Sequence, residues 1–387
     1  MSKIISLFNL INKKLMTKRV LNYNSIPWSE EKEYMDSLPT PKDDIQRAYN
    51  KYKCECSTMG SKLILFFRNC AGFVLFWIYM VMPSKKIQCE EQYDVVIING
   101  DKNKEDSVPD EYKDNYIHIP IEGKRSLKKG DKKVMFRVWK KHPFSYFFLT
   151  KIFIKLMVYS RAIQLYKPKQ ILCTSEASFT VPILTNYLEK QGIEHINFQH
   201  GLLAYKSRIA YSRFTKQLVW DKCFENALKK MHDDTEEFII VSPKALNYPI
   251  KKELEEKGRY TYYLQEIDED IIKSFAEFYY KWKEKGINLV LRPHPRYNDI
   301  DLIKKAIPDA EVEDISKVGI EDSINQSEYV IARGSTVLYQ GKVMNKKVLI
   351  DDVSMRDSFE YLRDRVFEVW FENLEEYLLS NYLNKTT

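Results

Sequence analysis

From residue 91 onward the chain alternates short, β-branched apolar runs with longer stretches whose apolar residues recur at helical spacing. Residues 93–100 read Tyr-Asp-Val-Val-Ile-Ile-Asn-Gly, a run apolar enough to be buried on both faces of a parallel sheet. A helix over 144–163 leads to a strand at 170–175, a helix over 181–191 and a strand at 195–201. Strand, helix and strand within about thirty residues make a βαβ unit. The alternation resumes with a helix over 227–234 and a strand over 237–241. Further strands are expected at 260–264, 287–292, 310–313, 329–332 and 347–350, with helices at 269–285, 301–306, 319–327 and 336–344 between them. Two α/β sheets in series follow, joined near residues 225–240, with a tail of helical period over 366–382.

The first ninety residues carry no such alternation. Ile4, Ile5, Leu7, Phe8, Leu10, Ile11 and Leu15, set among lysines, fit a basic amphipathic helix that lies in a membrane interface or packs on its own domain. Residues 63–82 are the most apolar stretch, but Arg68 and Asn69 interrupt it. What remains uncharged is shorter than the roughly twenty residues a membrane span needs. Pro83 ends the stretch and Lys85-Lys86 follow, so a buried or interface-dipping helix is expected. Residues 144–163 mix aromatic and aliphatic side chains with Lys151, Lys155 and Arg161, a pattern that suits cations snorkelling over a headgroup layer.

Composition narrows the class. At 387 residues the chain exceeds the roughly 100–200 of one domain. Its 44% hydrophobic and 30% charged content excludes a disordered or disulfide-scaffold protein, and a mean hydropathy of −0.44 excludes a polytopic membrane protein. The net charge of +7 is unevenly shared: residues 1–170 hold 31 Lys and Arg against 18 Asp and Glu, and the remainder is net acidic. The basic half would attract phosphate-bearing partners, and its interleaved aromatic residues favour an anionic membrane surface over nucleic acid. The six cysteines form neither a CxxC pair nor a zinc-spaced Cys/His set. No secretory signal is evident, so a cytoplasmic protein is expected.

In an open parallel sheet, ligands bind beyond the carboxyl ends of the strands. Four polar clusters occupy such ends: Thr174-Ser175-Glu176, Gln199-His200-Gly201, Arg292-Pro-His294-Pro-Arg296 and Arg333-Gly334-Ser335-Thr336. With two in each half, they are expected to face one another across a central interdomain cleft. Gly334 would let a ligand approach the backbone, and Ser335 and Thr336 would cap a helix whose free N–H groups take a phosphate. Arg292, His294 and Arg296, framed by two prolines, suit a diphosphate or a phosphate leaving group. His200 emerges where its strand stops, beside the small Gly201, and an imidazole there can take a proton from a sugar hydroxyl at neutral pH. Glu176 could orient His200, serve as the base itself, or complement a helix N-terminus.

Together these residues resemble the GT-B-like glycosyltransferases of bacterial surface-polysaccharide synthesis, a group taking in sialyltransferases and polysialyltransferases, capsular Kdo transferases and CDP-glycerol glycerophosphotransferases. The likeness runs over about residues 170–350. The HP and Ser-Ser/Thr motifs that hold the cytidine nucleotide's phosphate in sialyltransferases map onto His294-Pro295 and Ser335-Thr336. The His-Gly pair and the Arg-Pro-His-Pro motif of the glycerophosphotransferases map onto His200-Gly201 and residues 292–295. The sialyltransferases use an acidic pair before the glycine, where this chain has Gln199-His200. Other surface-carbohydrate proteins share the Gln-His-Gly form followed by Val219-Trp220.

The resemblance implies two Rossmann-like α/β domains, an acceptor domain over 91–235 and a nucleotide-donor domain over 236–355. The charge and apolar pattern add a basic helical N-terminal extension over 1–90, able to associate with a membrane, which the resemblance does not reach, and a C-terminal helix over 356–387 packing back across the domains. The resemblance also implies an inverting, metal-independent glycosyltransferase with no resident cofactor. Its donor would be a nucleotide-sugar, CMP-activated sialic acid or a Kdo-like sugar, and its acceptor a lipid-linked or oligosaccharide chain of capsule, O-antigen or lipooligosaccharide. The enzyme would sit on the inner face of the cell membrane. Rival readings are a CDP-polyol phosphotransferase of the same fold, a nucleotide-sugar 2-epimerase, and a non-catalytic glycan- or membrane-binding protein.

Overall fold

The computed structural model describes residues 26–385, apart from 58–61, 90, 100–107, 122–124, 175–176, 200, 243–245, 247–248, 266–268, 296–299 and 355. The amphipathic segment expected over residues 4–15 lies outside the described residues. The chain forms two compact units, one of Met1–Gly201 with Tyr205–Pro243, the other of Leu202–Ala204 with Lys244–Thr387. Each is an α/β unit built on a wholly parallel sheet, the two-sheet Rossmann-like architecture expected from the alternation.

The first unit has helices α1 (Trp28–Asp36), α2 (Asp44–Ser57) and α3 (Lys62–Val81), then β1 (Val95–Asn99), β2 (Tyr116–Pro120), α4 (Asp131–Lys141), α5 (Tyr146–Tyr166), β3 (Gln170–Thr174), α6 (Val181–Glu189), β4 (Glu194–Phe198), β5 (Lys216–Val219), α7 (Lys222–Lys230) and β6 (Glu237–Ile240). The strand order is β2-β1-β3-β4-β5-β6. Alternate residues of each strand face opposite sides. Val96, Ile98, Ile171 and Cys173 join a core shared with α2–α6, while Val95, Ile97, Leu172, Ile196 and Phe198 form a smaller cluster on the other face.

The two long apolar helices fare differently. α5 is core: thirteen of its residues are buried, among them Phe148, Ile152, Phe153 and Leu156. This corrects the headgroup-layer reading of residues 144–163. Lys151, taken as a snorkelling cation, reaches Glu55 at 3.5 Å and lies over the Phe179 ring. α3 packs along α5 by one face only. Its two interrupting polar residues belong to that face: Asn69 accepts the Phe147 N–H at 3.0 Å, and buried Arg68 stacks on the Phe147 ring.

In the second unit come β7 (Tyr260–Tyr263), α8 (Glu269–Glu284), β8 (Leu289–Arg292), α9 (Ile300–Ala306), β9 (Glu311–Val312), α10 (Ile320–Gln326), β10 (Tyr329–Ala332), α11 (Val337–Val343), β11 (Lys347–Ile350) and α12 (Arg356–Leu362). Ile272, Phe275, Tyr279 and Trp282 of α8 recur at helical spacing and bury against Leu289, Leu291 and Ile331. The strand order β11-β10-β7-β8-β9 reverses direction between β7 and β10. The tail is not one helix: a π turn, Arg363–Phe367, and a 3-10 turn, Leu374–Tyr377, break it before α13 (Leu379–Lys385). Leu378 bridges to Ile350 and Leu379 is buried in this unit's core.

Candidate functional site

The strand register of each unit brings its predicted clusters together in pairs. In the first unit, β3 and β4 are neighbours with Thr174 aligned on Phe198, so the two strands end side by side. Glu176 and His200 themselves lie outside the described residues. Gln199, just past β4, is tightly held. Gln199 is buried, its N–H donates to the Leu218 carbonyl at 3.0 Å, and its side-chain amide donates to the Gly201 carbonyl at 2.8 Å. Its Oε1 accepts the Trp220 N–H at 3.1 Å, and its carbonyl accepts the Trp220 indole N–H at 2.8 Å. Trp220, just past β5, therefore braces Gln199 at the end of β4. At the end of β3 the Thr174 hydroxyl is buried and has no partner among the described residues.

In the second unit, β7 lies between β8 and β10, with Tyr263 aligned on Arg292 and Tyr262 on Ile331. The segment after Arg292 and the segment after Ala332 thus flank the end of β7 about 10 Å apart, two strand spacings. Gln265 sits between them, a position that sequence reading passed over. Only the strand order shows that β7 neighbours both motifs, and the gap between β7 and β10 is the reversal point where an open α/β sheet holds its ligand.

The individual side chains refine the expectations. Ser335 Oγ accepts the Val337 N–H at 3.3 Å, whereas the Thr336 side chain is exposed and makes no capping bond. Gly334 lies against a side chain: a Cβ there would lie 2.5 Å from Leu362 Cδ1, which would have to swing aside, with the Gln265 amide 3.7–3.8 Å away. The space expected for a ligand's approach on that side is filled by Leu362. Arg292 is buried, and its guanidinium pairs with Glu313 and donates to the Val318 carbonyl at 3.1 Å. Glu313 also takes Arg259 at 3.1 Å. The charge expected to meet a phosphate is therefore already balanced within its own unit. His294 is half-buried beyond the strand end, and Arg296 lies outside the described residues.

Asp351 and Asp352, which follow β11, are both engaged. Asp351 accepts from the Tyr262 hydroxyl at 2.5 Å, from the N–H groups of Val353 and Ser354, and from the Ser354 hydroxyl. Asp352 accepts from the N–H and hydroxyl of Ser380. Burial, then the Asp351 charge, push the Tyr262 phenol well above its ordinary value, with Arg333 acting in the opposite sense. Among the described residues no group of His, Cys, Asp and Glu is arranged to hold a metal ion.

No protein-family model and no curated protein matches the chain. Solved structures do. The glycosyltransferase of kitacinnamycin aligns with a TM-score of 0.40 at 10% identity over 70% of this chain and 84% of its own. UDP-GlcNAc 2-epimerase from Neisseria meningitidis, bound to UDP-GlcNAc, aligns with a TM-score of 0.37 at 10% identity over 76% and 98%. The wall teichoic acid polymerase TagF, as a variant soaked with CDPG, aligns with a TM-score of 0.33 at 10% identity over 76% and 79%.

Proposed function

We propose that the chain is an inverting GT-B-type glycosyltransferase that moves a sugar from a cytidine-activated donor to a surface glycan, at the inner face of the cell membrane. One observation carries this reading: the strand order of the second unit reverses where Gln265 and the 333–336 turn meet, the position at which an open parallel sheet holds a nucleotide. His294, Ser335 and Thr336 stand around that position as hydrogen-bonding groups for the departing phosphate. Arg292 supports the site from beneath through Glu313, and Arg296 supplies the positive charge. His200, assisted by Glu176, takes the proton from the acceptor hydroxyl as that oxygen attacks the anomeric carbon. As the new bond forms, the bond to the phosphate breaks on the opposite face, so the configuration inverts and the nucleotide leaves with the electron pair. The bracing of residue 199 by Trp220 supports such a role, because a general base acts only when held within hydrogen-bond reach.

Melting the purified protein with cytidine, uridine, guanosine and thymidine nucleotides tests the donor. CMP or CDP should raise the midpoint, since a ligand that binds only the native state stabilises it, and Ser335→Ala should reduce that rise. A preference for uridine nucleotides overturns the cytidine assignment. With donor and acceptor present, His200→Ala should lower turnover by roughly 10²–10⁴-fold while leaving the nucleotide-induced shift in place. A phosphodiester in the product would replace glycosyl transfer with polyol-phosphate transfer, and conversion of the donor alone would indicate an epimerase.

A further inference from the structure

α3 is a twenty-residue helix, apolar enough to cross a membrane, with little of its length buried. Its inner face is fastened to α5. A Cβ on Gly72 would lie 2.7 Å from the Tyr146 backbone, and the Thr150 hydroxyl donates to the Gly72 carbonyl at 2.7 Å. The outer face is bare. Leu63, Phe66, Phe67, Phe73, Val74, Trp77 and Val81 are exposed, the first three above 60% and Val81 at 78%. Cys70, also exposed, completes the row. These positions recur every three or four residues, so they form one stripe along about 27 Å of helix with no charged side chain in it.

The stripe extends sideways onto α4, where Trp77 meets Trp139, Trp139 stacks on exposed Phe136, and the Lys140 ammonium lies 4.9 Å from the Phe136 ring. Phe144, 86% exposed, stands in the turn before α5. A soluble monomer seldom leaves a contiguous apolar patch beyond roughly 300–600 Å² uncovered. The rim of this patch is cationic: Lys62 at one end of α3, Lys85 and Lys86 past the other, and Lys133, Arg137 and Lys140 along α4, all exposed. An apolar, aromatic centre with lysines and an arginine around it complements a bilayer whose surface carries phosphate.

We propose that the outer face of α3, with the aromatic edge of α4, inserts into one leaflet of an anionic bilayer, the helix lying in the membrane plane rather than crossing it. The inner face cannot turn to lipid without tearing α3 from α5 and exposing Arg68 and Asn69, so a span is excluded by the packing that holds the fold. The inference rests on the peripheral-membrane part of the proposed function and is independent of the transfer chemistry.

Co-sedimentation of the full chain with vesicles of phosphatidylglycerol and phosphatidylcholine tests it, with Phe66→Asp/Phe67→Asp as the variant. Both positions are exposed, so the variant should keep the wild-type melting temperature and circular dichroism. The variant should lose roughly tenfold or more in vesicle partitioning, and Lys85→Gln/Lys86→Gln should weaken binding chiefly at low salt. If the wild type binds and the folded Phe variant binds equally, the α3 face is overturned while the membrane reading stands. If the wild type does not bind, both fall. A wild-type dimer abolished by the same variant, with no vesicle binding, would assign the patch to a second copy of the chain. Fluorophores on Leu63→Cys and Val81→Cys should both be quenched by spin-labelled lipid in the outer leaflet. Quenching of one alone would mean that the helix spans.

Discussion

α3 and α5 are nearly equal in length, both are strongly apolar, and they pack against each other. One has five buried residues and the other thirteen. The difference is one of layer. α5 lies between the sheet and α3 and is covered on both sides, so its apolar residues run all round the helix. α3 is the outermost layer: its polar residues, Arg68 and Asn69, point inward with Phe76 and Tyr79, while Phe66, Phe67, Phe73 and Trp77 point out. Hydrophobicity averaged over a helix therefore does not say whether it is core or interface. The orientation of the few polar residues does, because a buried guanidinium or amide is retained only where a partner meets it.

Substitutions on the two helices sharpen this contrast. The largest effect is expected inside α5. Phe153 is fully buried against Phe76 and Tyr79, so Phe153→Ala should cost about 3–5 kcal/mol in urea-unfolding free energy. Gly72→Ala comes next. Its methyl would meet backbone atoms rather than a side chain that can swing aside, and about 1–3 kcal/mol should be lost. A smaller effect, confined to acid, is expected of His142 at the turn between α4 and α5. Its ring stacks 3.7 Å from that of Tyr49, and its Nε2 is buried with no partner among the described residues. Burial, helped by Lys141 and Lys53, lowers the imidazole to about 4. The unfolded chain, at an ordinary value of about 6.5, binds the proton more tightly. The stability His142 contributes is thus complete above pH 6.5 and declines as pH falls toward 4. Urea midpoints of His142→Phe should be flatter than wild type across that window. Smallest of all, Phe67→Ala on the outer face of α3 should change stability by no more than about 0.5 kcal/mol, while weakening vesicle binding. A loss in solution as large as that of Phe153→Ala would show the outer face to be covered, and the contrast would fail.

The strands at 329–332 and 347–350 appear at the expected bounds, and those opening at 170, 237 and 260 agree to within a residue at either end. Continuous β-branched runs announce a strand buried on both faces wherever they occur. The elements that sequence reading missed lack that mark. β5 reads Lys-Gln-Leu-Val, and its Gln217 is buried because the Asp233 carboxylate and the Thr235 hydroxyl receive its amide. β2 is an edge strand ending in Pro120. In α2 a fully buried lysine, Lys51, donates to the Ala210 carbonyl and the Ser212 hydroxyl, both at 2.8 Å, and burial lowers its ammonium to about 7. Polar residues of this kind look like surface until their partners, often more than a hundred positions away, are in place.

By itself, then, the amino-acid sequence determined that the chain builds two parallel α/β sheets and that its polar clusters stand at strand ends, since both follow from local periodicity and from where apolar runs stop. Only the tertiary structure decided which strand ends are neighbours, that Arg292 answers Glu313, that Leu362 occupies the space beside Gly334, and that α3 rather than α5 shows its aromatic face to solvent. Strand order, ion-pair partners and helix layer are contacts between distant segments. They are set by which arrangement buries the most apolar surface while leaving each buried charge and N–H satisfied, a condition no single stretch of chain can meet alone.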